Sequence, residues 1–389
     1  MHKESKVVFV MPWHISERGG GAEVQANYLA QELADRGFRV SYVCQTTISS
    51  RVNTIEKIGQ VMVHFIKPSG LFQWQDQNKY LKPLYAIEPD YILQRLSSNV
   101  TYVLGKYRSK NNCKLIWFCT DDKNPFSDFH FSKFKERFTI KSLGVLKYSI
   151  IAVSNKLMDY YRNKGMKHVD IAFTQNDYQK EKLKRHFGIK SHRMISGHPI
   201  PKKTIGISER FTNKTILWCA NFGMHKRPEL FIELAAQMQH TNYKFIMVGG
   251  HSDKSYVAQL LANKPENLMV TGQLSFDDTL GFFNKATIFV NTSAPGGDGF
   301  PNTFIQAWLR QVPVLSFGFD PDAIIVTNDL GFRVSTINEA QEHIEEMFNN
   351  QAKYETMATH SYQYALENHS TKKMTDNFLK VINSQTYEG

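Results

Sequence analysis

One stretch of the sequence combines a carboxylate, glycines and the start of a predicted helix. Residues 290–317 read VNTSAPGGDGFPNTFIQAWLRQVPVLSF. A helix is predicted to begin near Pro301, Asn302 and Thr303, because proline fits a first helical turn and short polar side chains suit that end. Backbone N–H groups and the positive end of the dipole at a helix start attract phosphate-like anions. The stretch therefore predicts an anion site next to Asp298.

Two further loops could contact the same anion. The polar loop Asn221 to Arg227 follows an apolar run and contains two adjacent bases, Lys226 and Arg227. The glycines 19–21 follow another apolar run, and they would let backbone amides approach a phosphate closely. Structural interpretations remain open for these residues: a turn at Asp298, a solvated basic face at Lys226 and a loose glycine turn.

The pattern of apolar runs indicates which elements position these residues. Lys6 to Met11 is a predicted strand, Ala22 to Arg36 a helix and Phe38 to Val43 the next strand, which together form a βαβ unit. The same order restarts with a strand at Thr215 to Cys219 and a helix at Pro228 to Met238. Further strands are predicted at Phe245–Gly250, Leu268–Thr271, Ile288–Val290 and Val312–Ser316.

The restart predicts two doubly wound α/β domains. We expect an N-terminal domain over residues 1–200, a C-terminal domain over 201–365 and a final helix over 366–389 that crosses back to the first domain. Pro199 to Pro201 and the polar stretch Lys202 to Asn213 are predicted to be the linker. Paired domains of this kind place a cleft between the carboxyl ends of their sheets, where ligands bind.

Composition limits the partners and the compartment. The net charge is +11, and residues 1–200 carry 31 Lys and Arg against 17 Asp and Glu. Such asymmetry favours nucleic acid, an anionic membrane or a phosphorylated substrate as partner, or simply a solvated basic face. The four cysteines show no C-x-x-C spacing, and no stretch has the length of a signal-peptide core or a membrane span. We therefore expect a cytoplasmic protein without a metal site.

Several motifs together resemble the GT4 family of glycosyltransferases. Gly299 to Phe304 and Ala307-Trp308, followed by Val312 to Val314, match the donor-site signature E-G-F-P-N-T-F-L-E-A-W. Thr215 to Gly250 resembles the family's strand, basic loop, K-R-P-E-L-F helix and M-V-G-G strand. Asn267–Leu274 resembles the family's nucleobase-recognition strand, and Gly19–Val40 resembles its G-G-x-E loop and helix. Two smaller segments, Pro89–Arg95 and Asp170–Phe187, are also similar.

The resemblance implies a fold and an activity. The fold would be GT-B, with two Rossmann-like domains facing each other across a cleft. The activity would be retaining, metal-independent transfer of a sugar from a nucleotide-diphosphate-sugar, in UDP or GDP form, to a hydroxyl of a glycan or lipid-linked acceptor. No cofactor is implied, and the sequence offers no D-x-D motif in a suitable loop.

The resemblance also implies roles for single residues. Asp298 stands where the family has a glutamate that contacts the sugar near the reacting carbon, and Gln306 stands where a second glutamate binds the ribose. Lys226 matches the lysine that neutralises the diphosphate, whereas Asn221 replaces its usual arginine partner, for which Arg227 could compensate. The other residues expected to bind the donor are Gly20, Gly21, Gly250, Gln273, Leu274, Gly299, Phe300, Pro301, Asn302 and Thr303.

The acceptor side departs from the family. Many members have a histidine after the strand that corresponds to Lys114 to Cys119, but here Thr120, Asp121 and Asp122 follow. Either Asp121 or Asp122 supplies a polar contact there, or that function is absent. Arg95 is a further acceptor-side candidate.

A row of aromatic side chains raises the question of a membrane. Phe131, Phe134 and Phe138 recur at helical spacing among lysines and Arg137. Such a helix could dock on an anionic membrane surface, or it could be a core helix with a basic outer face.

Three other functions remain open. The deviations at Asp298, Gln306, Asn221 and the missing histidine fit a nucleotide-sugar-binding protein with weak or lost catalysis. A different GT-B chemistry, such as epimerisation or phosphorolysis, is a second alternative. Nucleic-acid binding is the third and least favoured, because no recognised motif accompanies the diffuse charge.

Overall fold

The computed structural model describes residues 4–70, 77–296 and 298–386. The chain forms two compact units: unit 1 contains residues 1–196 and 371–389, and unit 2 contains residues 197–370. Each is a mainly parallel β-sheet flanked by helices, as the sequence predicts. In the described residues, no helix combines the length and apolar composition that crossing a bilayer requires.

Unit 1 is built on an eight-stranded sheet in the order β3-β4-β2-β1-β5-β6-β7-β8. All neighbouring strands are parallel except β3 and β4, which form an antiparallel edge. The strands are β1 (Lys6–Trp13), β2 (Arg39–Gln45), β3 (Ile55–Ile58), β4 (Val61–Ile66), β5 (Tyr91–Arg95), β6 (Lys114–Phe118), β7 (Ile171–Thr174) and β8 (Ser191–Arg193). The helices are α1 (Gly21–Asp35), α2 (Gln77–Ile87), α3 (Val100–Arg108), α4 (Phe129–Arg137), α5 (Ile140–Leu143), α6 (Val145–Met166), α7 (Asp177–Phe187) and, from the end of the chain, α16 (Thr371–Thr386).

The central strand of this sheet is apolar throughout because helices cover both faces. Val7 and Phe9 point into the core shared with α1 and α16, while Val8 and Val10 point into the core shared with α2 and α3. A period of two with both faces apolar is typical of a buried parallel strand.

Unit 2 has a six-stranded parallel sheet in the order β11-β10-β9-β12-β13-β14. Its strands are β9 (Thr215–Cys219), β10 (Lys244–Val248), β11 (Leu268–Gly272), β12 (Ile288–Asn291), β13 (Val314–Phe317) and β14 (Gly331–Val334). Its helices are α8 (Ile207–Asn213), α9 (Pro228–Gln237), α10 (Lys254–Leu260), α11 (Phe276–Lys285), α12 (Asn302–Trp308), α13 (Ile324–Thr327), α14 (Ile337–Asn349) and α15 (Gln351–Asn368).

The predicted strands of unit 2 are confirmed to within a few residues, and the differences have local causes. The strand predicted at Val312 to Ser316 begins at Val314, because Gln311 has a positive φ of 59° and Pro313 has no N–H for the ladder. The predicted linker Lys202 to Asn213 is wrong in its second half. Helix α8 lies there, and its Arg210 is fully buried and donates to the carbonyl oxygens of Ile205 and Asn284.

Candidate functional site

The strand order of unit 2 places two loops side by side. From β9 the chain moves outward through β10 to β11, and it returns to the other side of β9 with β12. Ligands of open parallel sheets bind at such a reversal, outside the carboxyl ends of the strands. The loop after β9 carries Lys226 and the loop after β12 carries Asp298, so the fold brings together the two residues that the sequence assigns to catalysis.

Lys226 and Asp298 form an ion pair. The ammonium of Lys226 contacts Oδ2 of Asp298, and it also donates to the hydroxyl of Ser293 over 3.3 Å. The side chains are partly open to solvent, at 18% for Lys226 and 24% for Asp298. The charged pair is therefore held in place yet remains within reach of a ligand.

A threonine in the β12 loop fixes the backbone of Lys226. The hydroxyl of Thr292 donates to the carbonyl of Lys226 and accepts from the indole N–H of Trp218 over 2.8 Å. Trp218 is a residue of β9, and its side chain is buried in the core of unit 2. The lysine is therefore anchored through its backbone, while its ammonium reaches the surface.

Arg227 is occupied by the protein itself. Its Nε donates to the carbonyl of Thr292 at 2.7 Å, and its Nη2 donates to those of Ser293 at 3.2 Å and Phe317 at 2.8 Å. The residue has a positive φ of 44° and precedes Pro228, the first residue of α9. In this arrangement the guanidinium of Arg227 fastens the loop after β9 to the ends of β12 and β13.

The helix predicted near Pro301 is present as α12. Pro301 precedes it in extended conformation, with no side-chain cap at its N-terminus. The side chain of Asn302 hydrogen-bonds His198, and burial lowers the pKa of that histidine to about 3. Phe300 stacks on His369 with ring centroids 4.9 Å apart. Gln306 is buried in α12, so it is not an ordinary exposed helix residue.

The remaining donor-side candidates line the ends of β9, β10 and β11. Gly249 has a φ of 140°, and a β-carbon there would lie 1.8 Å from the carbonyl oxygen of Ala220, so only glycine fits. Gly250 follows and accepts from the amide of Phe222. Asn221 and Gln273 are exposed, and Leu274 is half-buried.

In unit 1 the corresponding reversal lies between β1 and β5. The glycine loop with Gly20 and Gly21 leads from β1 into α1, and Arg95 is the last residue of β5. The carboxylate of Glu23, in the first turn of α1, lies directly against Gly20. Arg95 is 2% exposed, and its Nε and Nη1 have no hydrogen-bond partner among the described residues.

Burial shifts the pKa of each ionisable group around Arg95. It lowers the pKa of Arg95 to about 10, despite the opposing fields of Tyr42 and Glu23. It raises the pKa of Glu23 and that of Tyr42, whose hydroxyl also has no partner in the described part of the chain. It lowers the pKa of His14, packed edge-on to Tyr42, to about 4.

The two candidate aspartates on the acceptor side have structural partners. Asp121 accepts from the amides of Lys123 and Asn124 and pairs with Lys133. Asp122 is buried and accepts from the side-chain amides of Asn176 and Gln179 at 2.9 and 3.0 Å. Both carboxylates thus stabilise the chain that follows β6.

The aromatic row on α4 faces the protein. Phe134 is buried, in ring contact with Tyr148 and Phe138, whereas Phe131 and Phe138 are half-buried. The structure therefore fits the core-helix interpretation of this row. Phe134, at 5% exposed, has almost no surface to insert into a membrane, whereas Phe131 and Phe138 are partly open to solvent.

Sequence reasoning missed Ser293 and Thr292 in unit 2 and Glu23, Tyr42 and His14 in unit 1. The Thr-Ser pair after β12 is a usable signal, since hydroxyl side chains often brace loops at the carboxyl ends of strands. Across residues 4–70, 77–296 and 298–386, no three His, Cys, Asp or Glu side chains are grouped as metal ligands would be.

Comparison with known proteins identifies the C-terminal unit. Residues 213–350 match the family model described as Glycosyl transferases group 1. This range contains both loops of the unit 2 site. A search of the curated proteins gives no match to the sequence.

Solved structures resemble the whole chain in fold. Anabaena HepE, crystallised with UDP and glucose, is 16% identical with a TM-score of 0.72 and covers 98% of this chain and 100% of its own. Sucrose-phosphate synthase from Thermosynechococcus elongatus is 13% identical with a TM-score of 0.73, covering 99% and 100%. A glycosyltransferase from Rickettsia africae is 14% identical with a TM-score of 0.71, covering 100% of both chains.

The family model covers the unit in which Lys226 and Asp298 meet, and the fold likeness extends over both units. The chain therefore has the fold of these GT-B glycosyltransferases, and its residues 213–350 match the glycosyl transferases group 1 family.

Proposed function

We propose that the protein transfers a sugar, with retention and without a metal ion, from a nucleotide-diphosphate-sugar to a hydroxyl of a glycan or lipid-linked acceptor. The observation that carries this proposal is the Lys226–Asp298 pair at the strand reversal of unit 2. It combines a cation for a leaving diphosphate with a carboxylate for a sugar, which is the pair of charges that the reaction requires.

Lys226 would stabilise the leaving group. As the bond between the anomeric carbon and the diphosphate oxygen breaks, negative charge grows on that oxygen, and a preorganised ammonium lowers the barrier by several kcal/mol. The start of α12, at Asn302 and Thr303, adds backbone dipoles of the same sign. This protein cation supports metal independence, because it supplies the charge that a divalent ion supplies elsewhere.

Asp298 would hold the sugar. Its carboxylate accepts hydrogen bonds from sugar hydroxyls and favours the positive charge that develops on the sugar ring. Departure of the diphosphate would shift the ammonium of Lys226 toward phosphate, leaving the carboxylate for the sugar. The acceptor oxygen then bonds to the anomeric carbon on the face that the diphosphate leaves, and its proton passes to a phosphate oxygen.

The nucleoside would lie along the ends of β10 and β11. Gln306 would bind the ribose, where its amide both accepts and donates, and Gly250, Gln273 and Leu274 would contact the base. UDP is the preferred donor nucleotide because HepE, which has the same fold, is crystallised with UDP; GDP is the alternative. Arg227 would act by positioning Lys226 through the three carbonyl oxygens it binds.

We propose Arg95, behind the glycine loop of unit 1, as an acceptor-side residue, and the cytoplasmic face of an anionic membrane as the place of reaction. The large positive charge of the chain supports such a surface.

Calorimetry with UDP, GDP and ADP and their sugars, with chelator present, tests the donor site. We expect micromolar binding of one base, and at least tenfold weaker binding by Lys226→Ala. Lys244→Ala, an exposed lysine on the far end of the same sheet, is the matched control. Binding to no member, or binding that needs a divalent ion, would contradict the proposal.

Product analysis separates catalysis from mere binding. Proton NMR of the first product should show the anomeric configuration of the donor. A protein that binds nucleotide-sugar yet neither transfers nor slowly hydrolyses it would be the catalytically weak alternative, which the replacement of two family glutamates by Asp298 and Gln306 favours.

A further inference from the structure

Helix α6 exposes an apolar stripe along much of its length. Val145 is 69% exposed and Leu146 is 77% exposed, and Ile150, Val153 and Tyr160 are also exposed. On a helical wheel of 100° per residue these five side chains fall within about 140° of one another. We call them the α6 stripe.

The stripe is exposed because the opposite side of α6 packs against α3 and α4. Near its C-terminal end, Gly165 lies against the backbone of Thr101 in α3. Near its middle, Asp159 accepts from the amides of His130 and Phe131 at 2.8 and 2.9 Å, which fixes α6 to the start of α4. These contacts hold the helix rigidly with its stripe outward.

The charged side chains in the segment that carries most of the stripe are lysines. Residues 139–158 contain Lys141, Lys147 and Lys156 and no Asp or Glu. All three lysines are exposed, and Lys164 lies over the ring of Tyr160 at 4.6 Å. Ile140, on the preceding helix α5, adds another exposed apolar side chain.

We propose that the α6 stripe docks the protein in the plane of an anionic membrane surface. Apolar side chains would enter the boundary between headgroups and acyl chains, while the lysines would contact anionic headgroups. Tyr160 suits the same depth, because its ring is apolar and its hydroxyl is polar. This proposal rests on the membrane partner proposed above and names the surface that binds it.

A second copy of the chain fits the stripe less well. A two-fold interface would place each stripe against its own image and bring the lysines of both copies together. Like charges brought together without a counter-ion oppose association. Anionic lipid instead supplies the opposite charge along the whole stripe.

Vesicle co-sedimentation tests the proposal. We expect the wild type to bind vesicles of phosphatidylcholine with 30% phosphatidylglycerol, to bind phosphatidylcholine alone at least tenfold more weakly, and to bind less as salt is added. The double variant Leu146→Ser, Ile150→Ser should lose at least tenfold in binding to the anionic vesicles. Its control, Ile55→Ser with Val326→Ser, removes two equally exposed apolar side chains elsewhere and should bind like the wild type.

Two double variants test how much the lysines near the stripe contribute to vesicle binding. Lys141→Glu with Lys147→Glu should reduce binding to the level seen with neutral vesicles. Lys244→Glu with Lys285→Glu makes the same change in net charge at exposed positions of unit 2, and should retain most of the binding. Equal losses in both pairs would mean that net charge alone drives association, and would overturn the proposal.

Fluorescence and calorimetry show whether the stripe itself enters the membrane and whether the nucleotide site is intact. An environment-sensitive fluorophore on Leu146→Cys should shift to the blue with anionic vesicles, while the same label on Val326→Cys should not. The proposal would be overturned if the Leu146→Ser, Ile150→Ser variant bound anionic vesicles as tightly as the wild type. It would also be overturned if the wild type bound no vesicles but formed a dimer that this variant could not form. Nucleotide binding in calorimetry without vesicles reports on the Lys226 site separately, so failure of either proposal leaves the other intact.

Discussion

The two sheets of the molecule each reverse their strand order once, and the two reversals are built in opposite ways. In unit 2, Lys226 and Asp298 lie on the loops after β9 and β12, paired with each other and partly open to solvent. In unit 1, Arg95 is the last residue of β5 and Glu23 lies in the first turn of α1. Both side chains are buried, and two guanidinium nitrogens of Arg95 have no partner among the described residues.

The difference separates two uses of charge. An ion pair that stays partly open to solvent loses less hydration than a buried one and contributes only modestly to stability, so its retention fits a role in binding. A buried cation without a full set of partners reduces stability, because its desolvation is not repaid. The unit 2 reversal is therefore an open site, whereas the unit 1 reversal holds a charge beneath the glycine loop at a cost to stability.

The comparison is tested most strongly at Lys226. For Lys226→Met we expect turnover to fall by about 10²–10³-fold, the usual effect of removing one transition-state donor. We expect the free energy of unfolding to change by about 1 kcal/mol or less, because solvent still screens a pair whose side chains are 18% and 24% exposed. Steady-state kinetics and urea unfolding measure the two quantities.

Lys244→Met is the control for that variant, since it removes an exposed lysine from β10 outside the site. It should leave both turnover and stability near the wild-type values. A Lys226→Met protein that loses several kcal/mol of stability along with its turnover would show that the pair is structural, and the contrast between the two reversals would disappear.

The sequence predicts the elements of unit 2 well because its strands are short apolar runs with clear breaks. Thr215–Cys219 is predicted with the same ends that the structure has, and the glycines, prolines and polar loops mark the other boundaries closely. The meeting of Lys226 and Asp298 follows from strand order, which the resemblance to a known family implies and which spacing alone does not.

The sequence could not predict contacts that depend on side-chain direction. Arg227 is next to Lys226 and has the same charge, yet a positive φ turns it toward three carbonyl oxygens. The α4 phenylalanines have the spacing of a membrane face, but Phe134 points inward and the neighbouring helix α6 has the exposed stripe. Burial of this kind is decided by packing between helices, which periodicity along one helix does not report.

Acid should weaken unit 1 through His14, beside the buried group around Arg95. Its folded-state pKa of about 4 lies below its ordinary 6.5, so the folded state resists protonation that the unfolded state accepts. Its contribution to stability is full above pH 6.5 and is lost as pH falls toward 4. At pH 5 the loss is about 2 kcal/mol relative to pH 7, from 1.36 kcal/mol per pKa unit.

His14→Asn should remove that part of the pH dependence, since the asparagine oxygen can accept from the amide of Ser16 as Nδ1 does but takes up no proton. Urea unfolding of both proteins at pH 7, 6 and 5 measures the slope. If the free energy of unfolding depended on pH equally in the wild type and the variant, His14 would not be the buried, neutral group responsible for the loss of stability in acid.

The smallest expected effect is an increase in the free energy of unfolding, whereas most mutations decrease it. Arg95→Met keeps the length and apolar volume of the side chain against Phe118, whose ring lies 5.3 Å from the guanidinium carbon, and removes a desolvated charge. We expect the free energy of unfolding to rise by about 1 kcal/mol, because the desolvated cation is gone and Glu23, whose pKa burial already raises, can take up a proton in its absence. Glycosyl transfer should fall while calorimetric nucleotide binding to unit 2 is unchanged, because the guanidinium serves the acceptor side.

Arg108→Met is the contrasting variant. Arg108 is paired with Asp170 through two hydrogen bonds of 3.0 and 2.6 Å, so its replacement should lower the free energy of unfolding. If Arg95→Met also loses stability, Arg95 is a structural cation held by Glu23, and the charge beneath the glycine loop stabilises unit 1 instead of reducing its stability.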